Sequence, residues 1–119
     1  MSILSQGVIY EKSFNFAIRI VNLYKHLSDE KREYVLSKQV LRSGTSIGAN
    51  IKEARDAQSR NDFLSKMSVA LKEAAETEYW LELLAATDYL EASHAESILE
   101  DCRELNRLLI SIVKTTRNG

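Results

Sequence analysis

The chain is 119 residues long, 45% apolar and 28% charged, with a formal net charge of −1. That length suits a single domain, and the composition is that of a folded globular protein rather than a disordered one. Proline is absent and glycine occurs only four times, which permits long helices, while the scarcity of aromatic and β-branched residues argues against a β-sandwich.

Other classes fall away on similar grounds. The longest apolar runs, such as Leu83-Leu84-Ala85-Ala86, are far short of the ~20 residues that a bilayer helix requires. Residues 1–12 have neither a basic head nor an apolar stretch and are read as lacking a secretory leader. The single cysteine, Cys102, has no partner for an internal disulfide, which points to a reducing, cytoplasmic setting. Charge is uneven along the chain. Residues 1–60 hold ten Lys and Arg against six Asp and Glu, and residues 61–119 hold six against eleven. A basic first half and an acidic second half attract each other within a bundle or between subunits; the plainer reading is ordinary solvated helix faces.

Four helical segments follow in chain order. The first is expected over residues 13–27. Phe14, Ile18 and Val21 mark one face, and Phe16, Ile20, Leu23 and Leu27 mark another roughly opposite, because two residues advance a helix by ~200°. A helix apolar on two sides is buried on two sides. Phe14 and Ile18 are assigned to the core, and Phe16, Ile20 and Leu23 to a contact with another subunit.

Ser28-Asp29-Glu30 is read as the boundary to a second helix over residues 30–57, whose start could fall as late as Ser37. Its seam is Leu36, Val40, Ser43, Ile47, Asn50 or Ile51, and Ala54. Ser59 with Asp62 three residues on resembles a capping box and opens a third helix over residues 60–86. There Phe63, Met67, Ala70, Ala74, Thr77, Leu81 and Leu84 keep alternating four- and three-residue spacing, the seam of a left-handed helix pack. Residues 88–93 read as a loop, with Tyr89 and Leu90 tucked against the bundle end. A fourth helix is expected over residues 94–116, with Ala95, Ile98, Cys102, Leu105, Leu109 and Ile112 on its seam. Short loops between long helices make neighbours antiparallel. The expected fold is therefore an all-α, antiparallel up-down-up-down four-helix bundle forming a single domain over residues 1–119. Its core is expected to hold Leu36, Ile47, Met67, Ala70, Leu81, Ile98, Leu105 and Ile112.

Bundles often carry metals, and a di-iron bundle needs two Glu-x-x-His motifs and two further glutamates. One such match exists, Glu91-Ala92-Ser93-His94, at a loop and helix start; the other histidine, His26, has Leu23 three residues before it. No metal or other cofactor is expected. There is no Gly-x-Ser-x-Gly elbow and no phosphate-cradling glycine loop. Cys102 falls on a seam, where a thiol is normally inert. No catalytic residues are assigned and no enzymatic activity is expected.

Two polar features remain. The run Arg42-Ser43-Gly44-Thr45-Ser46-Ile47-Gly48-Ala49-Asn50-Ile51 is small and polar within a helix. Gly44 and Gly48 suggest close approach of a neighbouring helix. Ser43, Ser46 and Asn50, with Glu73 and Glu76 opposite, are expected to form a buried hydrogen-bond network that fixes register; a ligand site is the alternative. On the second helix, Arg42 and Lys52 fall ~40° to either side of Lys38, so the three cations share one side, with Arg55 ~60° further round. This stripe is the candidate nucleic-acid contact. It contains no aromatic residues of its own, and Glu53, Asp56 or a neighbouring acidic helix could neutralise it.

These motifs also carry a resemblance. Residues 35–54, VLSKQVLRSGTSIGANIKEA, and residues 70–81, ALKEAAETEYWL, resemble two hallmarks of the four-helix-bundle proteins associated with intervening sequences of bacterial 23S ribosomal RNA genes. The chain departs from many members at Ala54, Lys72 and Glu73. The resemblance covers nearly the whole chain and implies an antiparallel bundle that assembles into a homopentamer; no enzymatic activity is established for that family. It further implies a relation to the accessory protein of diversity-generating retroelements, which binds nucleic acid. The expected function is that of a non-enzymatic, homo-oligomeric helical scaffold or interaction protein. The alternative is a nucleic-acid-binding protein, of RNA in particular, using the second-helix stripe; the sequence pI of about 6.1 runs against it.

Overall fold

Four apolar seams produce four helices: α1 (Ile3–Asp29), α2 (Leu36–Arg55), α3 (Arg60–Ala86) and α4 (Ala92–Asn118). They are seen in a computed structural model that describes residues 3–119. Met1 and Ser2, at the head of the segment read above for a leader, lie outside the described residues. The long dimension is 45 Å and the other two are 21 and 19 Å.

Side-chain pairings fix the direction of every helix. Ser43 meets Thr77 and Glu53 meets Lys66 across α2 and α3. Lys12 meets Glu104 and Arg19 meets Asp101 across α1 and α4. Arg60 binds the Thr116 carbonyl, and Asn106 reaches the Ala74 carbonyl, across α3 and α4. Gly44 faces Ile20 and Gly48 faces Ser13 across α2 and α1. In each pair one chain position rises as the other falls, so the bundle is up-down-up-down.

The first helix corrects the expected register. Its core face is Ile9, Ser13, Phe16, Ile20, Leu23 and Leu27, all buried. Phe14 and Ile18, expected inside, are 54% and 48% exposed. Phe16, Ile20 and Leu23, expected at a subunit contact, fill the core of the single chain. The reason is length of seam. The buried face keeps the four-three spacing from residue 9 to 27, whereas the Phe14–Ile18–Val21 face is bounded by Glu11 and Lys25. Reading Ser13 as a helix start hid the longer seam. Ser13 is instead an interior position whose hydroxyl donates to the Tyr10 carbonyl at 2.8 Å.

The second boundary also moves. α1 ends at Asp29, and the chain turns at Arg32, which takes a left-handed φ of 55°, with the Glu33 N–H closing on the Leu27 carbonyl at 2.9 Å. The cap of α2 is then the Glu33 carboxylate rather than Ser28, Asp29 or Glu30. It accepts the N–H groups of Val35, Leu36 and Ser37 at 3.2, 3.0 and 2.7 Å. Three of the donors that every helix start leaves unpaired are thereby satisfied. α3 spans the expected residues, with the Ser59 hydroxyl accepting the Asp62 N–H at 3.0 Å. α4 begins two residues before the expected start, and Leu90 is buried beneath the preceding loop.

Candidate interaction surfaces

The α2 cations stand on the outside of the bundle. Lys38, Arg42, Lys52 and Arg55 are all exposed. None of them forms an ion pair among the described residues. Glu53, a potential neutraliser of the stripe, turns to Lys66 on α3 at 3.7 Å. The fold adds what the sequence of α2 lacks. Tyr10 of α1 lies beneath the stripe, with Arg55 Cζ 4.8 Å and Lys52 Nζ 5.7 Å from its ring centroid, within cation–π range. Phe14 packs at a tilt on Tyr10, 6.2 Å between centroids. These aromatics escape a reading of α2 because they come from a different helix.

The five-residue polar network is not assembled as expected. Ser43 is buried and bonds to Thr77, 2.9 Å between hydroxyl oxygens, and Thr77 also donates to the Glu73 carbonyl at 2.7 Å. Ser46 and Asn50 instead satisfy themselves on their own helix, on the carbonyls of Arg42 and Ser46. Glu76 is exposed, and Glu73 keeps one buried carboxylate oxygen without a partner. Short polar side chains in a helix can return to the carbonyl four residues back, as Ser46 and Asn50 do, so proximity on a seam did not require a shared network. Thr77, counted as seam filler, is the true partner of Ser43.

The remaining reactive groups are quiet or scattered. Cys102 is fully buried; burial, and then the negative charge of Glu78, push its thiol up to about 12. His26 ends α1 and His94 opens α4, and both line a cavity of about 680 Å³ at the end of the bundle with Lys31, Asp88 and Glu91. Among the described residues no three His, Cys, Asp or Glu side chains gather as metal ligands. Nor is any described helix long and apolar enough to cross a membrane.

Fold and surface together define an all-α bundle whose distinctive features lie on its faces. The sequence model of the 23S rRNA-intervening sequence proteins matches residues 6–111, and the chain belongs to that family. It is also similar to a crystal structure of a protein of unknown function from the S23 ribosomal protein family of Bacteroides thetaiotaomicron. The two share 61% identity and superpose with a TM-score of 0.90, over 92% of this chain and 98% of that one. No curated protein is matched by the chain.

Proposed function

We propose that this protein is a non-enzymatic, cytoplasmic scaffold that works as a homo-oligomer. The observation that carries this reading is the second apolar face of α1. Phe14 and Ile18 are about half exposed although the core is already filled by the opposite face of the same helix. Large apolar side chains clustered on a surface are typical of an interaction site. The basic first half and acidic second half supply complementary charge around such a contact. Family resemblance favours a pentamer. Light scattering and native mass spectrometry at micromolar concentration test the reading. The expected result is a defined oligomer that Phe14→Asp with Ile18→Asp converts to smaller species of unchanged helicity. A wild-type monomer would overturn it.

A second reading, nucleic-acid binding through Lys38, Arg42, Lys52 and Arg55, is supported by the lack of ion-pair partners for these cations among the described residues. Unpaired cations are free to displace counterions from phosphates, and such binding falls steeply with salt. Titration with structured RNA and duplex DNA at low and physiological salt decides it. Micromolar binding lost in Lys38→Ala/Arg42→Ala/Lys52→Ala would place this reading first. No shift with either ligand at low salt would remove it.

A further inference from the structure

Three cavities follow one another along the junction of α1 with α4. The first, about 260 Å³, lies between Lys12, Phe16 and Arg19 on one side and Asp101, Glu104 and Leu105 on the other. The second, about 230 Å³, shares Arg19 and continues past Leu23 to His26 and His94. The third, about 680 Å³, shares both histidines and reaches the end of the bundle. Shared residues make the three a single furrow. From residue 12 to residue 26 it follows α1 for ~21 Å at 1.5 Å per residue.

Among the described residues, the other three junctions of the bundle are packed more closely. α2 packs along α1, α3 along α2 and α4 along α3, whereas α1 and α4 approach each other far less. The α1–α2 junction is tightened by Gly44 and Gly48, and the α2–α3 junction is tied internally by the buried Ser43–Thr77 pair. Among the described residues, the polar ties between α1 and α4 lie at the surface. They are Arg19 to Asp101 at 2.7 Å, Arg19 to Ser97 at 3.2 Å and Lys12 to Glu104 at 3.3 Å. Side-chain exposure in the two ion pairs runs from 31% to 48%. Pairs so exposed contribute little and are screened by salt.

We infer that the bundle opens along its α1–α4 edge while the α2–α3 junction stays shut, and that the Arg19–Asp101 and Lys12–Glu104 pairs are the latch on that edge. Native proteins open in cooperative units smaller than the whole, beginning where packing is thinnest. Here the α1–α2 and α3–α4 hairpins part like covers about a spine. Water then reaches Phe16, Leu23 and Leu105, which floor the furrow.

The only cysteine reports on this motion. Cys102 is 0% exposed on the inner side of α4, so an uncharged thiol reagent labels it only from an opened state. In the wild-type protein its labelling is expected to run at least tenfold faster than global unfolding, measured by urea, allows. Added salt should accelerate it, and Arg19→Ala should do so by ~2–5-fold, the effect of one exposed ion pair. A thiol placed by Ser43→Cys in a Cys102→Ser background probes the spine. It should label at the global rate and ignore salt beyond any change in overall stability. Labelling of Cys102 at the global rate overturns the inference without recourse to any variant. Equal sub-global labelling at both positions overturns it as well, because opening would then not be confined to one edge.

Discussion

Gly44 on α2 and Ile20 on α1 stand so close that a Cβ at residue 44 would lie 2.8 Å from both Cγ1 and Cγ2 of Ile20. Those are the branch carbons of a β-branched side chain, held to one rotamer in a helix, so Ile20 cannot swing aside. One turn along, a Cβ at residue 48 would lie 3.4 Å from the Ser13 hydroxyl and 3.5 Å from the Ser13 carbonyl oxygen, ordinary contact. The two glycines therefore respond differently to alanine. Gly44→Ala gains helix propensity worth ~1 kcal/mol but overpacks the junction, and should destabilise by ~1–2 kcal/mol net. Gly48→Ala should be neutral or stabilise by up to ~1 kcal/mol. Urea denaturation of the two variants checks the contrast.

Phe14 and Phe16 offer a test of the α1 register. Phe16 is 1% exposed and Phe14 is 54% exposed. Phe16→Ala should cost ~3–5 kcal/mol, as large-to-small changes at fully buried aromatics do. Phe14→Ala should cost under ~1 kcal/mol measured on dilute, dissociated protein. Reversal of that order by chemical denaturation would restore the opposite face as the core.

These two residues also show what the sequence made legible. α3 was readable end to end, because one uninterrupted seam and a Ser59 cap say the same thing. The existence of α1 was equally clear, and so were its two apolar faces. Which face turns inward was not, since both repeat at helical spacing and the deciding information is how far each continues. Ser13, a small polar residue tolerated inside because its hydroxyl donates to the Tyr10 carbonyl, broke the longer stripe. The same limit applies to the candidate surfaces. The α2 cations share a side by helix geometry alone, but Tyr10 and Phe14 join them only through the packing of α1 on α2.

Ser43 and Thr77 form the buried polar tie of the α2–α3 junction, and the two should not be equivalent. Thr77 can also donate to the Glu73 carbonyl at 2.7 Å, so its hydroxyl stays paired in Ser43→Ala. In Thr77→Val the Ser43 hydroxyl loses its cross-helix partner in a fully buried position. An orphaned buried polar group costs more than a lost hydrogen bond. Thr77→Val should therefore be the more destabilising by ~1 kcal/mol, and the double substitution should recover part of that loss. Thermal melts of the four proteins give the coupling directly.

The last prediction concerns acid. Slight burial raises the Glu33 pKa, but hydrogen bonds from the backbone N–H groups of Leu36, Ser37 and Val35 outweigh it, so its carboxyl lies below the ordinary value of 4.5. These donors favour the charged form, and the positive start of α2 does the same. A carboxyl whose pKa is depressed by folding contributes stability that is complete above its unfolded pKa. That contribution is lost as pH falls from there through the folded value. The wild-type melting temperature should accordingly fall below about pH 4.5, with protonated Glu33 as one cause. Glu33→Gln keeps an acceptor for the backbone but removes the charge and the titration. It should be less stable than wild type at neutral pH, and the gap should narrow as the wild-type carboxylate is protonated. Melting curves for both proteins across the acid range measure that gap. A constant difference at every pH would show that Glu33 caps α2 without its charge contributing.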